Sequence, residues 1–391
     1  MSLIGVLRTG VSGMNAQSNR ISTVAENIQN SGTTGYKRSS AEFSSLLIES
    51  AESGNYNSGA VETTVRRAVS EGGPVGFTTS KTDLAIQGNG FFVVQDANRA
   101  PYLTRAGNFV VDGPTGNLVN AGGFTLMGYP AGPGTAAPSL NSVADMVPVN
   151  LASVGAQADA STAATISGNL PYGAAVGAGK KTSVVVYDNV GQARTLDVAL
   201  TKTAAGAWSV AVSEGAAALG AATVSFDADG QAIGPASLTV QVPNGRPVAF
   251  GLAGMTQLAG DYALKGSADG APPAAVTGTE FGADGTVYAT YADGTRKAAF
   301  KVPLADVPSP DNLEPRAGNV FKPSTDSGDI QVGFAGLGGR GTLKAGALEQ
   351  SNVDVSTELT AMIESQTVYT ANSKVFMTGN ELLDTLMNLK R

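Results

Sequence analysis

The sequence contains no cysteine and no histidine. The first absence removes any disulfide framework or thiol chemistry, and the second removes imidazole catalysis and most zinc sites. Charge is also sparse. Lys+Arg 25 against Asp+Glu 32 leaves a formal charge of -7, so there is no general electrostatic reason to bind nucleic acid or anionic lipid. The pairs Lys37-Arg38, Arg66-Arg67 and Lys180-Lys181 stand isolated, as solvated surface residues do. No stretch approaches the roughly 18 apolar residues of a membrane span. Met1 to Val11 is interrupted by Gly5, Arg8 and Gly10, unlike a cleavable signal. Composition therefore fits a cytoplasmic protein, or one exported by a route that reads no cleavable signal. Glycine is what abounds: 50 residues, about twice the usual share. With ordinary aliphatic content, that describes a turn-rich β protein, and 391 residues leave room for about two or three domains.

The two ends break this pattern. Leu3, Leu7, Gly10, Met14, Gln17, Ile21, Val24 and Ile28 recur at alternating spacings of four and three, the narrow seam of a coiled coil. One helix from Leu3 to Asn30 is predicted, stopped by Ser31-Gly32 and Gly35. At the other end Val355, Leu359, Met362, Gln366, Tyr369, Ser373, Phe376, Leu383 and Met387 keep the same spacing. Both helices join one central body, one leaving it and one entering it, which makes them antiparallel within a subunit. Leu3, Leu7, Met14, Ile21, Val24, Ile28, Leu359, Met362, Tyr369, Phe376 and Leu383 are the expected packing core of this helical domain. Burying one narrow seam does not match the entropy cost of ordering so many backbones. Both ends are therefore expected to be poorly ordered in the free subunit and helical when several copies pack. Circular dichroism of the subunit, equal to that of a version lacking both ends plus two full helices, would overturn this.

Between the ends, residues 31–70 read as a connector, with a short helix over Ala41 to Ser53 (Phe43, Leu46, Leu47) and a loop over Gly54 to Gly59. From Glu71 the texture is β. The Gly88-Asn89-Gly90 turn between two apolar runs predicts a tight hairpin. Pro130 to Pro148 is a Pro/Gly/Ala linker. A second series comes at Ser183 to Tyr187, Thr195 to Thr201, Ala207 to Val212, Thr223 to Asp227 and Ser237 to Val242, spaced as in a small barrel or sandwich, with Trp208 in its core. The expected class is α+β. A coiled-coil domain is built from 1–30 plus 350–391, an inner β domain from 71–145 plus 276–349, and 146–275 forms an outer β domain inserted into the inner one.

No catalytic, cofactor or metal residues stand out. Gly336 to Gly341 spells a dinucleotide fingerprint, but Thr342 to Gly346 does not open a helix. Asp227-Ala228-Asp229-Gly230 lacks the further oxygen ligands of a calcium loop and reads as a hairpin turn. No nucleophile elbow or Ser-x-x-Lys motif has a suitable context. The signal is for assembly and not for an enzyme.

Three motifs carry a resemblance. They are Asn27, Ile28, Asn30, Thr33, Gly35, Tyr36 and Lys37; Gln87 to Val94 with Thr104 to Phe109; and Leu348 to Asp354, including Asn352, continued by Met362, Ile363, Gln366, Tyr369, Ala371 and Asn372. In these the chain resembles the bacterial flagellar rod and hook axial proteins, the hook branch most closely. Gly32 and Thr367 depart from the family pattern, where asparagine and arginine are usual. The resemblance implies an extracellular location in the flagellar basal body and hook, with no cofactor and no nucleic-acid or membrane partner. It implies a homopolymer whose terminal helices form concentric coiled coils around a channel, a curved tube that acts as a universal joint between rod and filament. Implied partners are further copies of the chain, the distal rod protein, the hook–filament junction protein, the hook cap and the flagellar type III export apparatus. The alternatives are a distal rod or junction subunit of the same family and, from another class, an extracellular adhesin or enzyme. Removing residues 1–30 and 355–391 separates them, because only an axial subunit should then lose its function.

Overall fold

The computed structural model describes residues 3–47, 58–132, 135 and 143–389. It resolves into two units, described in turn: residues 1–154, 278–290 and 296–391, and residues 155–277 with 291–295.

In the first unit, helix α1 (Leu3–Gln29) and helix α2 (Val355–Leu389) lie against each other. Leu7 meets Gly379, Gly10 meets Phe376, and Arg20 pairs with Glu364, so the two run antiparallel. At the end of α1, Asn30 N–H bonds back to the Glu26 carbonyl at 3.1 Å, and Thr33 N–H closes a turn on Asn30. Asp354 begins α2 by accepting the Thr357 amide at 2.9 Å, the work of an N-cap.

The described part of the stretch expected as a short helix is instead strand β1 (Ser39–Leu47), paired antiparallel with β2 (Ser58–Arg67), while residues 48–53 of that stretch lie outside the described residues. The apolar spacing of Phe43, Leu46 and Leu47 imitates a helical face. β2 supplies a full ladder, however, and α1 lies against the hairpin, with Ser12 Oγ accepting the Val61 amide at 2.8 Å. The loop expected at Gly54 to Gly59 lies mostly outside the described residues, as does part of the expected linker between Pro130 and Pro148.

The Gly88-Asn89-Gly90 turn also behaves differently from a tight hairpin. Leu84–Gln87 pairs with Thr342–Ala345, while Phe91–Gln95 pairs with Pro101–Thr104, Leu304–Asp306 and Thr125–Pro130. The reason is burial on both faces. Phe92 and Val94 enter one apolar core with Phe109, Leu126 and Val287, while Phe91 and Val93 enter another with Leu103, Tyr129 and Phe321. A strand sandwiched in this way needs neighbours on both edges: Pro101–Thr104, next in the chain, takes one, and Thr125–Pro130 with the distant Leu304–Asp306 takes the other. Val75–Phe77 pairs with Ala347–Glu349, bringing the chain just before α2 back beside the start of the β region.

The second unit is a two-sheet sandwich. Strands from Gly179–Tyr187 to Ala232–Gly234 form a five-stranded sheet in sequential order, an antiparallel meander. A four-stranded sheet sets Ala163–Asn169 between Pro247–Thr256, in parallel, and Ala263–Ala268, antiparallel. Trp208, Phe250, Ile166 and Val198 are fully buried in its core. Asp227 accepts the amides of Asp229 and Gln231, making the Asp227–Gly230 stretch an Asx-type turn.

Candidate functional site

The helix pair and its attachment to the β region form the candidate site. On α1, Val24 of the predicted seam is buried, and Leu7, Met14, Ile21 and Ile28 are half-buried. Leu3 is the first residue of α1, and its side chain lies outside the described set. On α2 the seam facing α1 runs through Glu358, Met362, Ser365, Asn372, Phe376, Gly379 and Leu383. It shares Met362, Phe376 and Leu383 with the predicted set. At the alternate positions it lies one residue earlier than Leu359, Gln366, Ser373 and Asn380. Leu359 is therefore exposed, at 48%; Tyr369, although in the same column as Met362 and Phe376, is also exposed, at 40%, as are Ile363 at 65% and Met377 at 58%. Gln366 is exposed too.

Where the helices meet the β region, the polar residues of the N- and C-terminal motifs converge. Asn27, fully buried, treats Ser39 as a neighbouring strand would. Its Nδ2 donates to the Ser39 carbonyl at 2.7 Å, and its Oδ1 accepts the Ser39 amide at 2.9 Å. The same Nδ2 reaches Glu358 Oε2 at 3.0 Å, and Tyr36 OH donates to Asn27 Oδ1 at 3.2 Å. Glu358, also fully buried, takes Arg38 Nε at 2.6 Å on its other oxygen. Asn352 Oδ1 accepts the Arg38 amide at 2.7 Å, and its Nδ2 donates to the Ala68 carbonyl at 3.1 Å. Asn30 remains local, accepting Thr33 Oγ1 at 3.1 Å.

Beside this lies a second charged group. Glu349 receives Lys37 Nζ at 2.7 Å, Arg105 Nη1 at 3.0 Å and the Gly73 amide at 2.9 Å, with both ion pairs almost entirely buried. Arg105 also lies 5.1 Å from the centre of the Phe91 ring. Gly35 allows the crossing. Its φ is +68°, and a Cβ there would lie 2.7 Å from the backbone of Arg105 and Ala106, so glycine is required by both conformation and space. Sequence reasoning misses Lys37, Arg38, Arg105, Glu349 and Glu358 as site residues, because charged residues read as surface by default. The available signal is their position inside or next to the three motifs.

Burial alone would raise the Glu349 pKa. The Arg105 guanidinium and the Lys37 ammonium outweigh that effect and hold it below the usual carboxylate range. A depressed folded-state pKa means that this contribution is complete above the carboxylate's unfolded pKa and is lost as pH falls through the folded value. The expected result is a junction insensitive to pH near neutrality that loosens on acidification below the carboxylate range. Hydrogen exchange of the amides of residues 36–39 and 349–353, measured from about pH 8 downward after correction for intrinsic rates, checks this. Protection lost already between about pH 8 and 6 would contradict it.

Among the described residues no cluster of three or more candidate metal ligands occurs, and no helix is long and apolar enough to cross a membrane. Gly336 to Gly341 leads into strand Thr342–Ala345, so the nucleotide fingerprint lacks its helix.

Three family models match the chain. Residues 7–37 match the flagella basal body rod protein family, 85–164 the D1 domain of the flagellar hook protein FlgE/F/G, and 344–389 the C-terminal region of the flagellar basal body rod FlgEFG proteins. The flagellar hook protein FlgE of Rhizobium meliloti (strain 1021) is 50% identical, with 100% of each chain covered. That of Brucella abortus biovar 1 (strain 9-941) is 46% identical over 100% of each. That of Escherichia coli (strain K12) is 31% identical over 97% of this chain and 98% of the other.

Proposed function

From the premise that this chain belongs to the bacterial flagellar hook protein FlgE family, we propose how its geometry serves that role. It is a polymerising axial structural subunit of the hook, not an enzyme. The observation that carries the mechanism is the surface of α2 left over after it has packed on α1. Val368, Val375 and Leu382 recur every seven residues on one flank of the seam, while Ile363 and Met377 lie further round. A helix apolar on several sides is stable in water only when covered on several sides. Neighbouring copies supply that cover, and α1–α2 pairs packed side by side form the wall of an inner tube. In this reading Leu359 and Tyr369 bury between subunits, while Leu7, Met14, Ile21, Val24, Met362, Phe376 and Leu383 bury within one.

The buried junction ties each helix pair firmly to its β region, so torque carried by the tube is passed outward without slack. The β units form the outer part, where contacts between subunits re-register as the bent tube turns. The distal rod protein below, the junction protein above, the cap at the growing end and the export apparatus are the proposed partners. All belong to the extracellular hook and basal body or to its assembly.

Electron microscopy of cells deleted for the gene, with and without a copy lacking residues 355–391, tests the reading. Rods without hooks or filaments, unrescued by the truncated copy, are expected. Intact curved hooks in the deletion strain would overturn it.

A further inference from the structure

The α2 seam has a second periodicity. Its apolar contacts, Met362, Phe376 and Leu383, share a column with Tyr369, while the other column is Glu358, Ser365, Asn372 and Gly379, each seven residues from the next. None of these four is apolar and large. The two glycines of α1 in the middle of the pair, Gly10 and Gly13, face this column. A Cβ on Gly13 would lie 2.7 Å from Asn372 Nδ2 and 2.8 Å from its Cγ, so the Asn372 side chain occupies the space that Gly13 leaves. A Cβ on Gly10 would lie 3.4 Å from the Asn372 carbonyl oxygen and 3.6 Å from Phe376 Cβ. Gly379 returns the relation, since a Cβ there would lie 2.7 Å from Leu7 Cδ2.

Apolar seams tolerate slippage by a heptad, because every seventh position resembles the last. Here a slip of seven residues in either direction would set Asn372 against Val6 or Arg20 in place of Gly13. It would also withdraw Glu358, fully buried, from Asn27. We propose that the Gly13–Asn372 contact is the register determinant of the terminal helix pair. It selects one axial alignment of α1 on α2, and so fixes the height at which the outward apolar residues of α2 are presented. The contact has a steric half, a side chain seated in a glycine gap, and a polar half, an amide that is disfavoured against an apolar neighbour.

The absence of cysteine makes the test clean. Arg20 and Glu364 are within 2.8 Å at their charged ends and partly exposed, and they do not take part in the contact. Arg20→Cys with Glu364→Cys, joined by a short bis-thiol reagent in isolated hooks, reports the native register. Arg20→Cys with Thr357→Cys or Ala371→Cys reports the two slipped ones. On the otherwise unchanged chain only the native pair should cross-link, and a cross-link at a slipped pair instead would overturn the proposal. Gly13→Asn and Asn372→Leu should each lower the native yield about tenfold or abolish hooks altogether. The exchange Gly13→Asn with Asn372→Gly should restore hooks and the native cross-link. Native yield unchanged in both single variants, or no recovery in the exchange, would overturn it. The inference rests on the assembly reading only for its sample. Failure of that reading shows in the deletion strain, whereas failure of the register shows in which thiols join.

Discussion

Glu349→Ala is expected to destabilise the subunit by about 3–5 kcal/mol, a large share of the roughly 5–15 kcal/mol by which a domain is ordinarily stable. The change leaves Lys37 and Arg105 inside the protein with no carboxylate between them. Side-chain exposures of 1% and 4% give neither cation access to water. Arg105 is already short of partners, because its Nε has none within hydrogen-bonding range. The Gly73 amide loses its acceptor as well. Glu349→Gln separates the causes. It keeps the volume and removes only the charge, so a loss close to that of alanine assigns the effect to the uncompensated cations. Replacing all three side chains together, by Lys37→Met, Arg105→Met and Glu349→Leu, should recover most of the stability, because a buried ionic group is worth little against a well-packed apolar one. Denaturant titration of the full chain measures all three variants. A loss below about 1 kcal/mol for Glu349→Ala would reduce the group to the value of a surface ion pair.

Ile363→Glu combined with Met377→Glu is expected to abolish polymerisation and leave the subunit's own fold unchanged. Both side chains are more than half exposed in the single chain, so a carboxylate there costs the subunit little. In the proposed packing of the tube the same positions are covered by neighbours. An unpaired carboxylate taken out of water then costs several kcal/mol, incurred at every subunit along the polymer. Seeded assembly read by sedimentation should give no pelletable polymer, with an unfolding curve that overlays the parent's. Ile363→Leu is the conservative control and should assemble. Normal assembly of the double glutamate variant would show that this side of α2 faces water in the hook.

The parts of this architecture that depend on local patterning are legible in the sequence. The α1 helix comes from its spacing, and the meander of the second unit comes from turns joining strands that pair with their chain neighbours. Legibility fails where a segment's state is decided by something far away. Leu84–Gln87 and Phe91–Gln95 look like the arms of one hairpin until Thr342–Ala345 and Leu304–Asp306 take the pairing. Phe43, Leu46 and Leu47 suit a helix until β2 pairs with the segment as a strand. On α2 the apolar Leu359 outranks Glu358 as a seam residue by hydropathy. Glu358 nevertheless points inward because Asn27 and Arg38 wait for it there, which no hydropathy pattern can express. The charged junction is invisible for the same reason: Lys37 and Glu349 are 312 positions apart in the chain.

That separation sets a clock. Contacts of α1 with α2 join residues more than 330 positions apart, such as Asn27 with Glu358 and Arg20 with Glu364. Pairings of that span carry a large closure entropy and form late. A chain delivered end-first, whichever end leads, has no complete helix pair until its final segment arrives. The meander of the second unit needs only its own neighbours and can close long before. If the subunit is delivered by threading, as the proposed export partner requires, it thus completes its helix pair last, and a half-delivered molecule lacks the paired surface proposed to capture another.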